Sequence, residues 1–295
     1  MQAVDKRLRE LRPKLAEATY KTYSANITRM KRISPTLDMP KIKAALEKLP
    51  PVQARNLLTA LVVYDGPRWK KLHRRFISQA EEFIFDQHLT VREAALWINF
   101  NELKKMVRRM KRDVEIHNLF RSSTLKKGER SLLLGLICWS IHMEFPLRND
   151  LCTVKIARVP GNTDAKQNWY IASNNTFILN KFKTAKYYKL RGWLPVVLSP
   201  SKRLATLIRR YLRQRPDATY LLERADGRPY TKSGFANLFK YAPQRYLNKQ
   251  IGTSMFRKIF LTHFLESDPP LKVKRLVMRK MLQVRLVTQD TYRRR

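Results

Sequence analysis

The chain is short of acid. Against 61 lysines and arginines it sets 23 aspartates and glutamates, a formal net charge of +38 over 295 residues. A compact domain with that imbalance repels itself, and a polyanion relieves the repulsion. Nucleic acid is the leading partner. An anionic membrane surface is the weaker one, since no lipidation motif is present. There is no run of eighteen apolar residues, so no membrane span is expected. Met1-Gln2-Ala3-Val4-Asp5-Lys6-Arg7 holds no apolar signal core. The two cysteines, Cys138 and Cys152, each sit in an apolar run and read as small core residues of a protein kept in a reducing interior. The five histidines are scattered and none pairs closely with cysteine, so neither a structural zinc nor any other metal or cofactor is expected.

What is present reads as a mainly α protein with a small antiparallel β-sheet. Leu11 to Met30, Ala54 to Tyr64 and Trp69 to Phe85 carry helical patterns, with Pro50-Pro51 breaking the chain between the first two. These helices are apolar on one side and basic on the other, as in Lys70, Lys71, Arg74 and Arg75. The pattern loosens from Asp86 to Glu93, which places a domain boundary there and divides the chain into 1–93 and 94–295. Asn99 to Val114 is amphipathic, with Leu103, Met106, Val107 and Met110 at i, i+3, i+4 and i+7. Lys104, Lys105, Arg108, Arg109, Lys111 and Arg112 put six cations in the nine positions 104–112. That exceeds what solubility requires and suggests a face turned to phosphates. Ser131 to Met143 should be a central core helix, ended by Pro146. Cys152–Ala157, Trp169–Ile171, Phe177–Leu179 and Trp193–Leu198 read as strands, and Lys181 to Lys186 as the approach to a basic turn. Helices resume at Ser201 and Thr231.

The stretch Gly252 to Leu265 organises the rest. Met255, Phe256, Ile259, Phe260, Phe264 and Leu265 make it apolar on most of its circumference, which predicts a buried helix with Arg257 set into it. A buried guanidinium needs an anion, supplied either by an internal carboxylate or by the phosphate of a ligand.

Four pieces line up along the chain: Leu147-Arg148-Asn149-Asp150-Leu151 after a core helix, Phe182-Lys183-Thr184 in the sheet region, Ser254-Met255-Phe256-Arg257, and Tyr292 near the end. Arg148 to Arg257 is 109 residues, and Arg257 to Tyr292 is 35. In order and spacing this resembles the tyrosine recombinase (phage integrase) superfamily over roughly the last two hundred residues, and looks most like integrases of viruses and mobile elements. The resemblance implies a helical DNA core-binding domain over 1–93 and an α+β catalytic domain over 94–295. It also implies a metal-independent DNA recombinase or integrase that works through a covalent 3′-phosphotyrosyl intermediate, as a homotetramer on double-stranded DNA inside the cell, in nucleus or cytoplasm.

In that scheme Tyr292 is the nucleophile, Arg148 and Arg257 clamp the non-bridging oxygens, and Lys183 is the general acid, with Lys181 and Lys186 close enough to compete for the role or to touch DNA. Asp150 orients Arg148. Lys104, Lys105, Arg108 and Arg109 contact DNA. Two positions depart from the family pattern. Ser254 stands where the His-x-x-Arg histidine is usual, and Gln283 stands nine residues before Tyr292, where a second His or Trp is usual. Both can donate a hydrogen bond, but neither carries protons near neutral pH, which predicts a slow enzyme. Type IB topoisomerases share this chemistry, and a DNA-binding protein of the same fold without activity is the rival from another class.

Overall fold

The computed structural model describes residues 2–86, 89–122, 124–284 and 293–294. The chain divides into two compact units, Met1–His88 and Leu89–Arg295. A boundary at 93/94 would instead cut through the short helix that opens the second unit.

The first unit is five helices: α1 (Gln2–Leu11), α2 (Glu17–Ile33), α3 (Met39–Glu47), α4 (Pro51–Asp65) and α5 (Lys70–Phe85). The helix expected from Leu11 to Met30 starts later, at Glu17, and Leu11 instead closes α1, with Pro13 just beyond its end. Pro51, by contrast, occupies the first turn of α4, where a missing amide costs nothing. Leu8, Ile27, Met30, Ile42, Leu58, Leu61 and Trp69 make the core, and the Trp69 indole donates to Asp65 at 2.8 Å. Lys70, Lys71, Arg74 and Arg75 stay exposed on α5 while Phe76 and Ala80 face inward.

The second unit begins with α6 (Val91–Leu96), started by a reciprocal Thr90–Glu93 cap, then α7 (Phe100–Ile116) and α8 (Lys127–Glu144). On α7, Leu103, Met106 and Met110 are fully buried and Val107 is half-buried. Four strands follow: β1 (Val154–Ala157), β2 (Asn168–Ile171), β3 (Thr176–Leu179) and, after α9 (Ala185–Leu190), β4 (Val196–Leu198). They form one sheet in the order β1-β2-β3-β4. β2–β3 and β3–β4 are antiparallel, but β1 and β2 run parallel, so the sheet is mixed. Ten residues, 158–167, lead the chain back so that β2 starts beside the start of β1. The strand expected from Cys152 is shorter, since Asn149–Thr153 forms a 3-10 turn.

Among the described residues four helices follow: α10 (Lys202–Arg213), α11 (Lys232–Leu247), α12 (Thr253–Glu266) and α13 (Leu271–Lys280). Ser201 and Thr231 cap α10 and α11 through their hydroxyls. Trp139 of α8 joins α11 and α12: its indole donates to the Phe239 carbonyl at 2.9 Å, stacks on Phe239 at 4.2 Å and meets the Phe256 edge at 5.3 Å. Cys138 and Cys152 are buried free thiols, and burial pushes both up from the ordinary thiol pKa.

Candidate active site

Pro146 ends α8, and the chain then turns through Arg148 into the 3-10 turn Asn149–Thr153. Asn149 fixes this turn from both ends of its amide. Its oxygen accepts from the Thr253 hydroxyl at 2.9 Å, at the first turn of α12, and its nitrogen donates to the Lys232 carbonyl at 3.3 Å, at the start of α11.

Asp150 stands where the separated pieces meet. Burial pushes its carboxyl upward. The nearby charges of Arg148 and then Arg257 oppose that shift, as do backbone hydrogen bonds from Arg148 and Lys183. The charges of Arg148 and Arg257 thus lie within electrostatic reach of one carboxylate. In the basic turn, Lys181, Lys183 and Lys186 all have exposed side chains. The turn lies in the connection between the antiparallel partners β3 and β4.

Buried Asn168, which no motif singles out, pins the head of that turn. Its oxygen accepts from the Asn180 and Lys181 amides at 2.9 and 2.7 Å, and its nitrogen donates to the carbonyls of Lys181 at 2.8 Å and Asp150 at 3.3 Å. All of its hydrogen-bonding capacity goes to backbone, the arrangement a buried amide requires.

Arg257 is wholly enclosed in α12. Its Nη1 donates to the carbonyls of Pro146 at 2.6 Å and Met281 at 3.0 Å. In the free protein two carbonyls accept from this guanidinium, and Asp150 lies within its electrostatic reach. Below it lies His142 of α8, also fully buried and lined by Phe235, Phe239 and Phe256. His142 Nδ1 is 2.8 Å from the Cys138 carbonyl and Nε2 is 3.4 Å from the Arg148 carbonyl. Burial, assisted by the charge of Arg257, holds the imidazole neutral, with its pKa lowered to about 4.

Gln283 is buried, and among the described residues neither atom of its side-chain amide has a hydrogen-bond partner. Its backbone carbonyl accepts from the Tyr188 hydroxyl at 2.7 Å. Tyr292 lies outside the described residues.

Ser254 is not brought to this cluster. Gly252, not Ser254, is the N-cap of α12, and Ser254 is exposed on its first turn. It opens onto a recess shared with Lys240, Lys249 and Lys258, a recess lined by none of Arg148, Lys183 and Arg257. At its edge Lys258 and Arg294 both pair with Glu93.

The cations of α7 divide by helical period. Lys104, Arg108 and Lys111 (i, i+4, i+7) border a groove of about 600 Å³ between α7, α8 and α10, floored by Val107, Leu136, Met143 and Leu207. Lys105, Arg109 and Arg112 form the next stripe; Lys105 pairs with Glu102 at 2.8 Å, and Arg109 is exposed. The expected single phosphate-facing surface on this helix is therefore two stripes, one beside an apolar floor.

Among the described residues no helix is long and apolar enough to cross a membrane. No family model matches the chain, and no curated protein matches it in sequence. Among solved structures, a crystal structure of XerA recombinase is similar over 99% of this chain and 92% of that one, at 11% sequence identity and a TM-score of 0.44. An overlay at that score does not establish a common fold.

Proposed function

We propose that the chain is a site-specific DNA recombinase or integrase that cleaves and rejoins DNA through a covalent 3′-phosphotyrosyl intermediate. The observation that supports the reading is how the three segments are tied: Arg257 donates to the Pro146 carbonyl, two residues before Arg148, and Asn168 bonds both the Asp150 carbonyl and the Lys181 amide, two residues before Lys183. In this reading the Tyr292 oxygen bonds to phosphorus as the bond to the 5′-oxygen breaks. The phenol proton passes to water, and Lys183 protonates the departing oxygen. Arg148 and Arg257 stabilise the added negative charge of the transition state. The reverse attack by a 5′-hydroxyl restores the phosphodiester and frees the phenol, so no external energy source is used. Joining two duplexes takes four such sites, hence a homotetramer on DNA in the compartment that holds the DNA.

Arg257 is enclosed in the free protein, so the reading requires bound DNA to open its cover. That enclosure, with the burial of Gln283 and the outward position of Ser254, favours the second reading: a DNA-binding protein of this type that does not cleave.

The two separate on one gel. The protein is incubated with a pool of nicked duplexes of random sequence and run under denaturing conditions. A covalent protein–DNA adduct is expected, and Tyr292→Phe should abolish it. Salt-sensitive DNA binding with no adduct on any duplex supports the second reading. In either case affinity should fall with salt, by a logarithmic slope of about 0.9 for each phosphate neutralised. Relaxation of supercoiled plasmid without two-site strand exchange would assign the chemistry to a topoisomerase instead.

A further inference from the structure

The stretch 281–284 is gripped by its backbone. Four consecutive carbonyls each accept a hydrogen bond from a side chain elsewhere in the unit. Met281 accepts from Arg257 at 3.0 Å, Leu282 from the Thr184 hydroxyl at 2.7 Å, Gln283 from the Tyr188 hydroxyl at 2.7 Å, and Val284 from Arg191 Nη1 at 3.1 Å. Thr184, Tyr188 and Arg191 stand at i, i+4 and i+7, so one face of α9 with its two flanking residues supplies three of the four donors. Leu282 is held at a φ of 53°, in the left-handed region that a residue with a branched side chain seldom enters. The contacts around it offset that local cost.

Ordinary stability does not call for this arrangement. The end of a ten-residue helix could be satisfied by water or by a glycine cap, and neither would need another helix. What α9 adds is proximity. Thr184 directly follows Lys183 in the chain. The same short element thus holds the lysine on one side and, on the other, the chain that leads to Tyr292 eight residues beyond Val284.

We propose, building on the recombinase reading, that α9 is a positioning clamp. Thr184, Tyr188 and Arg191 fix the stretch from which Tyr292 is reached, in register with Lys183 of the same protomer. Attack and leaving-group protonation are then directed at one phosphate by one element. These three side chains touch neither substrate nor reacting atoms; they act through the backbone they hold.

Thr184→Val and Tyr188→Phe each remove one hydroxyl and keep the shape. Single-turnover adduct formation is measured on a nicked duplex with an ordinary phosphodiester and with a 5′-bridging phosphorothioate, whose sulfur leaves without needing a proton. The double variant should be slower on the order of thirtyfold, the value of two ordinary hydrogen bonds, on both substrates. Lys183→Ala should be slow on the ordinary substrate alone. A double variant as fast as wild type, or one restored by the sulfur substrate, overturns the proposal and leaves the recombinase reading standing. Hydrogen exchange in the free protein checks the grip without cleavage: the peptide beginning at Met281 should exchange faster in the double variant while the rest of the chain does not. Unchanged exchange there overturns the clamp. If the wild type forms no Tyr292-dependent adduct, the recombinase reading falls and the clamp falls with it.

Discussion

His142 should set the acid limit of the second unit. The ring is fully buried between aromatic side chains, with Arg257 close enough to oppose a second positive charge, and its pKa is lowered from 6.5 to about 4. In the unfolded chain the imidazole returns to its ordinary value and binds a proton more tightly than the folded chain does. Folding is therefore favoured while both forms are neutral, above about pH 6.5, and the contribution is lost as pH falls towards 4. A tenfold difference in proton affinity between the two states is worth about 1.4 kcal/mol, so roughly 3 kcal/mol of unfolding free energy disappears across that window. Against a typical total of about 5–15 kcal/mol that is a large share.

The assay is urea unfolding of the full chain at pH 7, 6, 5 and 4, for wild type and His142→Gln. Urea is preferred to guanidinium because it leaves the repulsion among 61 cations unscreened at every pH alike. Gln keeps a donor and cannot titrate. The variant is expected to start lower and to lose less, so the two curves should converge by about 3 kcal/mol between pH 7 and 4. Asp150, raised by burial, has the opposite slope, favouring the fold as pH falls, and is present in both proteins. Parallel curves would refute the assignment of the acid loss to His142.

Two further outcomes are expected. Asn168→Leu keeps the volume but strands the Asn180 and Lys181 amides. It should cost about 2–4 kcal/mol in urea unfolding and slow adduct formation as well, because the turn carrying Lys183 loses its anchor. A variant as stable as wild type would show that the amide network is dispensable. Ser254→His adds a group that can carry protons on an exposed first turn with room around it. Because Ser254 faces a recess lined by none of Arg148, Lys183 and Arg257, the rate of adduct formation should be unchanged. A rise of about an order of magnitude would refute that placement and show that position 254 reaches the reacting phosphate.

The α12 helix is legible in the sequence because burial writes itself as composition: Met255, Phe256, Ile259 and Leu265 leave most of its circumference apolar. The mostly helical architecture is legible for the same reason. The partners of Arg257 are not, because a carbonyl has no identity in sequence, and Pro146 and Met281 accept with groups that every residue owns. Asn168 is silent in the same way. The outward position of Ser254 turns on whether Gly252 or a later residue caps the helix, a choice a string of letters leaves open. α9 and α13 escape a reading by periodicity because Lys and Arg crowd their sequences and few positions are buried, Tyr188 in the first and Val277 in the second. The parallel β1–β2 pair depends on where a ten-residue loop returns, which alternation cannot report.

Asn149 has a consequence of its own. Its one planar amide touches the beginnings of two helices and sits next to Arg148 in the chain. The starts of α11 and α12 and the turn that carries Arg148 are therefore tied through a single side chain. Losing that one side chain would free both helix starts and the turn at the same time.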